Sequence, residues 1–206
     1  MTITAAPAFD VFISYTSLDR KFAVDVANRL RAEGLEPFYL ADVPAGTEIS
    51  GAIWDALAEC HVFMVIISPD SAPDAMGMIE LGAAAAWSKP IIVLLNGPAS
   101  TRVPQALRDY AIYPRNRIDE VVTRIRRNLE PMTDDERQVL VDCYAVLGIP
   151  TDQLSQSPVH LRQLGDAFNE KTSRHLSATR LLSELLRLRK QSKLPRIQSQ
   201  RRRAEP

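Results

Sequence analysis

Residues 62–95, VFMVIISPDSAPDAMGMIELGAAAAWSKPIIVLL, decide the fold of this chain. Two almost wholly apolar runs, 62–68 and 90–95, have the length and composition of strands that are covered on both faces. Between them, the alanine-rich residues 74–88 predict a helix. A strand, a helix and a second strand form the crossover unit of α/β proteins, so this segment predicts a parallel sheet.

The same alternation continues in both directions from this segment. Short apolar runs alternate with stretches in which apolar residues recur at helical spacing. The sequence therefore predicts an α/β domain with a five-stranded parallel sheet and helices on both faces. The predicted strands are 10–14, 36–40, 62–68, 90–95 and 111–113, and the predicted helices are 18–33, 49–60, 74–88 and 118–129.

A second region without strand signals begins at Pro131. The capping-box pattern from Thr133 to Glu136 predicts the start of a helix, and later leucine-rich stretches predict two more. Residues 1–130 hold 12 Lys+Arg against 16 Asp+Glu, whereas residues 131–206 hold 13 against 9. The change of pattern and the reversal of charge together predict two units with different roles. The expected division is a flexible terminus (1–8), an α/β domain (9–130), a helical module (131–190) and a disordered basic tail (191–206).

Several classes of protein do not fit the composition. Cys60 and Cys143 lie in apolar helical patterns, which predicts buried thiols and not a disulfide framework. The N-terminus lacks a leader pattern and no stretch reaches the ~18 apolar residues of a membrane span, so we expect a soluble cytoplasmic protein. The three histidines share no metal spacing, and no metal is expected. Aromatic residues are missing from the basic tail, which makes nucleic-acid binding unexpected.

Motifs for familiar catalytic chemistries are also missing. The sequence has no Gly-x-Gly-x-x-Gly loop, no Walker motif and no Gly-x-Ser-x-Gly turn. A bound redox dinucleotide and a serine hydrolase are therefore not expected.

Glu80 is the principal candidate for chemistry. It is a lone carboxylate in a small, apolar helix that precedes a buried strand. A carboxylate is costly to bury unless it is paired or has a function, and the alanines that follow leave room for a ligand. The alternative is a structural role, as an ion pair with an arginine or as an exposed helical charge.

Four segments together carry a family resemblance. They are residues 9–15 followed by Asp19, residues 42–49 with a proline and a glycine before a helix, the strand 62–68 that ends in serine, and the pair Glu80 and Leu81. In order and spacing they resemble the Toll/interleukin-1 receptor (TIR) domain across residues 9–130. The resemblance implies a flavodoxin-like fold, and it equates residues 42–49 with the BB loop of that family.

The TIR family includes scaffolds that only assemble and enzymes that cleave the nicotinamide–ribose bond of NAD+. The resemblance to the bacterial enzymes implies that Glu80 is catalytic and that NAD+ is a substrate, with no cofactor. It further implies that substrate contacts come from Ser14 and Tyr15, from the BB loop and from the helix of Glu80. The implied substrate-binding set is Ser14, Tyr15, Pro44, Gly46 and Met76, where Met76 stands in place of the family's usual tryptophan and Gly77 in place of its frequent cysteine.

Alternatives remain open at this point. The product is either ADP-ribose or a cyclic form, and the sequence does not separate the two. The resemblance also implies self-association through the TIR domain and its BB loop, and a role in defence of the antiphage type. For the C-terminal helices we expect a protein partner. One rival hypothesis is a non-catalytic TIR adaptor. The other is an enzyme similar to nucleoside deoxyribosyltransferases, because the Glu-Leu-Gly-Ala-Ala stretch also resembles that family.

Three further residues have structural alternatives. Ser14 and Tyr15 could instead cap the next helix and fill the edge of the core, and Trp54 is expected to pack in the core.

Overall fold

The computed structural model describes residues 9–40, 49–71, 73–98, 100–195 and 197. It divides the chain into two units, Met1–Glu130 and Pro131–Pro206. The first unit contains every strand that the described part of the chain forms, and the second contains helices.

Five parallel strands form the sheet of the first unit, as the sequence predicts. Their order is β2-β1-β3-β4-β5. The second strand is therefore added on one side of β1, and the later strands are added in sequence on its other side. Every residue of β1, β3 and β4 is buried, which explains their continuous apolar composition. The strands are β1 (Val11–Ser14), β2 (Pro37–Tyr39), β3 (Val62–Ile67), β4 (Ile91–Leu95) and β5 (Ala111–Pro114).

Helices cover both faces of this sheet and create two apolar layers. The helices are α1 (Arg20–Ala32), α2 (Ile49–Glu59), α3 (Ala75–Ala86) and α4 (Ile118–Leu129), and a 3-10 turn, Ser17–Asp19, precedes α1. Alternate strand residues such as Ile13 and Met64 pack with α1 and α4 on one face. Their neighbours Phe12 and Phe63 pack with α2 and α3 on the other, where their rings stack with centroids 5.7 Å apart.

The second unit consists of helices around a separate core. Its helices are α5 (Asp134–Leu147), α6 (Thr151–Leu154), α7 (Pro158–Thr172) and α8 (Ala178–Lys190). Phe168, Leu140 and Leu181 are fully buried at its centre. The predicted capping box is present, since Thr133 and Glu136 exchange hydrogen bonds between side chain and backbone. Gly148 ends α5 in the left-handed conformation that glycine adopts without strain.

One element of this unit was not predicted from the sequence: α6 is a single turn directly after Pro150. Leu176 is buried in the segment before α8, and Ser177 caps that helix. Cys60 and Cys143 are free and buried, as predicted. Within the described ranges, no helix has both the length and the apolar character that crossing a membrane requires.

Truncation after Glu130 is expected to leave the first unit folded. Every described residue of its two apolar layers precedes Pro131, and the second unit has its own core. The truncated protein should unfold cooperatively in thermal circular dichroism. An insoluble product, or one that loses its near-UV signal, would instead mean that the helices of the second unit complete the first.

Candidate functional site

Glu80 lies near the carboxyl end of the first strand, on helix α3. This helix begins after Asp74, whose side-chain carboxylate accepts a hydrogen bond from the Gly77 amide at 2.8 Å. Glu80 is only 7% exposed. The hydroxyl of Ser14, the last residue of β1, donates a hydrogen bond to Glu80 Oε2 at 2.6 Å. A carboxylate is thereby fixed between a helix and a strand end.

The surroundings of Glu80 disfavour its charged form. Burial raises the pKa of Glu80, the hydrogen bond from Ser14 lowers it, and the nearby charge of Asp74 raises it, and the net direction is upward. Among the residues that the structure describes, no lysine or arginine forms an ion pair with this side chain. Glu80 in this structure is therefore neither an exposed helical charge nor part of a described salt bridge.

A cavity of about 150 Å³ opens beside Glu80. Its wall combines the ends of β1 and β2 with α2 and the first turns of α3. Pockets that hold whole drug-sized ligands have volumes of about 300–1,000 Å³, so the described cavity is smaller than a site that encloses a whole ligand of that size. The lining of the cavity includes Ser14, Tyr15, Phe38, Ile53, Met76 and Glu80.

Four of the residues predicted as a site lie on this one wall. Ser14, Tyr15, Met76 and Glu80 all line the cavity, although they come from two distant segments of the sequence. Met76 is 44% exposed, whereas Ser14 is buried and Tyr15 is half-buried. Pro44 and Gly46 lie outside the described residues. Trp54 is half-buried and packs against the apolar layer below α2, as predicted.

The family model of the TIR domain matches residues 11–129, which is more than half of the chain. The chain belongs to the TIR domain family. Among solved structures, it is similar to the crystal structure of the TIR domain of the Toll-related receptor TRR-2 from Hydra magnipapillata. The two are 25% identical, with 59% of this chain and 94% of that chain covered and a TM-score of 0.44. No functionally curated protein gives a significant match.

Gly77 allows α3 of this TIR domain to approach the end of β1. A Cβ atom at this position would lie 3.3 Å from Pro73 Cβ and 3.5 Å from Ser14 Oγ. The first contact is tighter than side chains normally make, and a longer side chain would press on the hydroxyl that binds Glu80. Gly77 departs from the family pattern, in which a cysteine is frequent at this place, and the close approach of α3 to Pro73 and Ser14 gives a local reason for the glycine.

A second polar cluster joins the ends of β3 and β4 to the start of α1. Asp19 is 1% exposed. One of its oxygens accepts from Asn96 Nδ2 at 2.8 Å, and the other accepts from the hydroxyls of Ser68, at 3.2 Å, and Ser71. This cluster anchors the segment that leads from β3 to Asp74 and α3.

This cluster was not predicted as a unit, because Asp19 and Ser68 entered the sequence-based prediction only as parts of family signatures. The signal that could have revealed it is that Ser68 and Asn96 directly follow two buried strands, because the ends of neighbouring parallel strands meet at one edge of the sheet. Across the described segments, no group of three or more His, Cys, Asp or Glu side chains is arranged to hold a metal ion.

Proposed function

We propose that this TIR domain cleaves the nicotinamide–ribose bond of NAD+, with Glu80 as the catalytic carboxylate. The observation that carries the proposal is a buried carboxylate on a cavity wall at the carboxyl ends of parallel strands, where ligands bind in open α/β sheets. Its perturbed pKa supports a functional role, because such shifts concentrate at active sites. NAD+ enters here as a substrate and not as a cofactor.

The proposed reaction needs only one carboxylate. The C1′–N bond breaks with its electron pair moving to nicotinamide, which leaves as a neutral molecule and needs no general acid. The ribose then carries positive charge, which the carboxylate of Glu80 stabilises electrostatically. Water attacks C1′ and releases a proton to give ADP-ribose, or an adenine nitrogen attacks to give a cyclic product. Ser14 would hold Glu80 in place through the bond at 2.6 Å.

The cavity wall offers a suitable surface for the nicotinamide end. Phe38 and Ile53 contribute apolar groups to the same wall as the polar pair of Ser14 and Glu80. Met76 adds a thioether, which packs well against ring faces and edges. Met76 would thereby take over the contact that the family's usual tryptophan supplies.

A non-catalytic adaptor is the second candidate function. The observation that favours it is the exposed apolar surface of α3, where Ile79 is 55% exposed and Met78 is 41% exposed. Apolar side chains exposed on adjacent positions are typical of protein contact surfaces. In this alternative, the protein would bind partners through α3 and the second unit, and Glu80 would be dispensable.

An assay of the purified full chain with NAD+ separates these candidates. We expect release of free nicotinamide, with a specific activity that rises with protein concentration. The reason is our proposal that self-association through residues 42–49, which correspond to the BB loop of the family, completes the site. The readout is nicotinamide by chromatography, with light scattering for oligomeric state. Turnover of deoxynucleosides without turnover of NAD+ would favour the deoxyribosyltransferase alternative. No release at any concentration would favour the adaptor.

The pH dependence of nicotinamide release should report the environment of Glu80. Because the pKa of Glu80 is raised, kcat/KM is expected to fall on the acid side at a higher pH than an ordinary glutamate would give. Asp74→Asn retains a good helix N-cap and removes the charge that contributes to this shift. Its acid limb should therefore move to lower pH. An unchanged limb would mean that another group controls the profile.

The second unit and the biological setting extend this proposal. We propose that residues 131–190 contact a protein partner or a second copy, and that NAD+ cleavage serves a defence response of the antiphage type. In support of a separate role, the second unit has its own buried core, and residues 131–206 carry more Lys+Arg than Asp+Glu. Truncation after Glu130 tests the role of the second unit. The first unit alone should still cleave NAD+ at high protein concentration.

A further inference from the structure

The charged groups on the wall of the cavity beside Glu80 all have the same sign. Two carboxylates, those of Asp74 and Glu80, line this cavity. Among the described residues of the wall there is no lysine, arginine or histidine. Two carboxylates without a cationic neighbour create a negative potential inside the cavity, so the wall attracts a ligand group of positive charge.

The buried carboxylate of this pair is only partly satisfied. Glu80 is 7% exposed, and the hydroxyl of Ser14 donates to its Oε2 atom at 2.6 Å. The described residues offer no hydrogen bond to the other oxygen, Oε1. An almost buried carboxylate oxygen without a donor is costly unless a ligand supplies the missing partner or the missing charge. The cavity next to Glu80 is the space in which such a ligand can lie.

The start of α3 does not offset this negative charge. The first amides of a helix attract an anion when they have no partner. In α3 the Gly77 amide already donates to the side chain of Asp74 at 2.8 Å, so the Asp74 carboxylate takes the place of an anionic ligand. The same hydrogen bond fixes this carboxylate at the exposed edge of the cavity.

The uncharged part of the wall favours a flat ring. Tyr15 and Phe38 contribute aromatic side chains, and Met76 contributes a thioether. Aromatic rings attract cations, and thioether sulfur packs favourably against rings. The apolar and the charged groups of the wall therefore suit the same kind of ligand, a flat ring with a positive charge.

We propose that Asp74 makes this cavity selective for a cationic pyridinium ring that carries no carboxylate. This inference rests on the proposed cleavage of NAD+ and names the substrate class, which is ribosides of the nicotinamide cation and not ribosides of nicotinate. The carboxylate of a nicotinate ring would be repelled by Asp74 and Glu80. Asp74 is a specificity-determining residue, whereas Glu80 is the catalytic carboxylate. Because water screens the exposed Asp74, we expect a selectivity of about tenfold.

An NMR titration of the full chain with three small ring compounds tests this selectivity without requiring cleavage. The probes are 1-methylnicotinamide, which is a cation, nicotinamide, which is neutral, and nicotinate, which is an anion. We expect the affinity to fall in that order, with a difference of about tenfold or more between the cation and the anion. Equal affinity for 1-methylnicotinamide and nicotinate would overturn the proposal, and so would the absence of binding of the cation at millimolar concentration.

Two variants separate the charge of Asp74 from its role as a helix cap. Asparagine is as good a helix cap as aspartate, so Asp74→Asn is expected to fold. Its preference for 1-methylnicotinamide over nicotinate should shrink by about threefold or more. Asp70 is an exposed aspartate of the same connection and does not line the cavity, so Asp70→Asn should keep the wild-type preference. An unchanged preference in Asp74→Asn would show that Asp74 only caps α3, against the proposal.

Kinetics with two dinucleotides extend the test to the proposed reaction. In the wild type, kcat/KM for NAD+ should exceed that for nicotinic acid adenine dinucleotide by about tenfold, and this ratio should fall in Asp74→Asn. Both substrates depend on Glu80, so a change in its ionisation alters both rates and leaves the ratio to report on Asp74. Cation-selective binding without nicotinamide release would support this inference and contradict the proposed function. Cleavage of NAD+ without cation-selective binding would do the reverse.

Discussion

Glu80→Gln is expected to lower nicotinamide release by about a hundredfold or more, because it removes the negative charge that would stabilise the ribose cation in the proposed reaction. Glutamine retains a side-chain oxygen that accepts the hydrogen bond from Ser14. The free energy of unfolding should therefore change by no more than about 1 kcal/mol. Burial already disfavours the charged carboxylate, so any change in stability at neutral pH is expected to be a gain.

The matched control for this variant is Glu59→Gln. Glu59 is an exposed glutamate at the end of α2, and its replacement removes one charge without touching the cavity. Nicotinamide release is measured at several NAD+ concentrations for both variants, and stability by urea denaturation. Wild-type turnover in Glu80→Gln would remove this residue from the mechanism and leave the adaptor hypothesis as the stronger one.

Asp19→Ala is expected to destabilise the first unit by roughly 2–4 kcal/mol. The aspartate is almost completely buried and accepts hydrogen bonds from Ser68, Ser71 and Asn96. Alanine would leave the donors of Ser71 and Asn96 without this acceptor in a site from which water is largely excluded, whereas the hydroxyl of Ser68 can still donate to Ser71 Oγ at 2.8 Å. The loss should appear as a lower midpoint in urea with little change in the slope of the transition.

Asp25→Ala provides the comparison for this prediction. Asp25 is an exposed aspartate on the same helix, α1, and its replacement should change stability by no more than about 0.5 kcal/mol. Similar losses in the two variants would show that the hydrogen bonds of Asp19 contribute little to the fold. Nicotinamide release should also fall in Asp19→Ala, because the cluster anchors the segment that leads into α3.

The strands and the helix faces of this protein were predictable from local sequence. A strand buried on both faces must be apolar throughout, so runs such as 62–67 and 91–95 are recognisable without a structure. Glu80 was likewise recognisable from local sequence, because it is a carboxylate in an otherwise apolar helix. A single helical turn such as α6 carries too few residues to show a period, and it was missed.

Contacts between distant segments were decided by the tertiary structure alone. Ser14 and Glu80 are 66 positions apart, and Asp19 and Asn96 are 77 apart, yet both pairs are hydrogen-bonded. Arg137 of α5 and Glu184 of α8 likewise form an ion pair in the second unit. Hydrophobic periodicity reports which face of an element is buried, but it carries no information about which element lies against that face. Pairing depends on the packing of the whole core, so the partners of Glu80 and Asp19 follow from the fold and not from their neighbours in sequence.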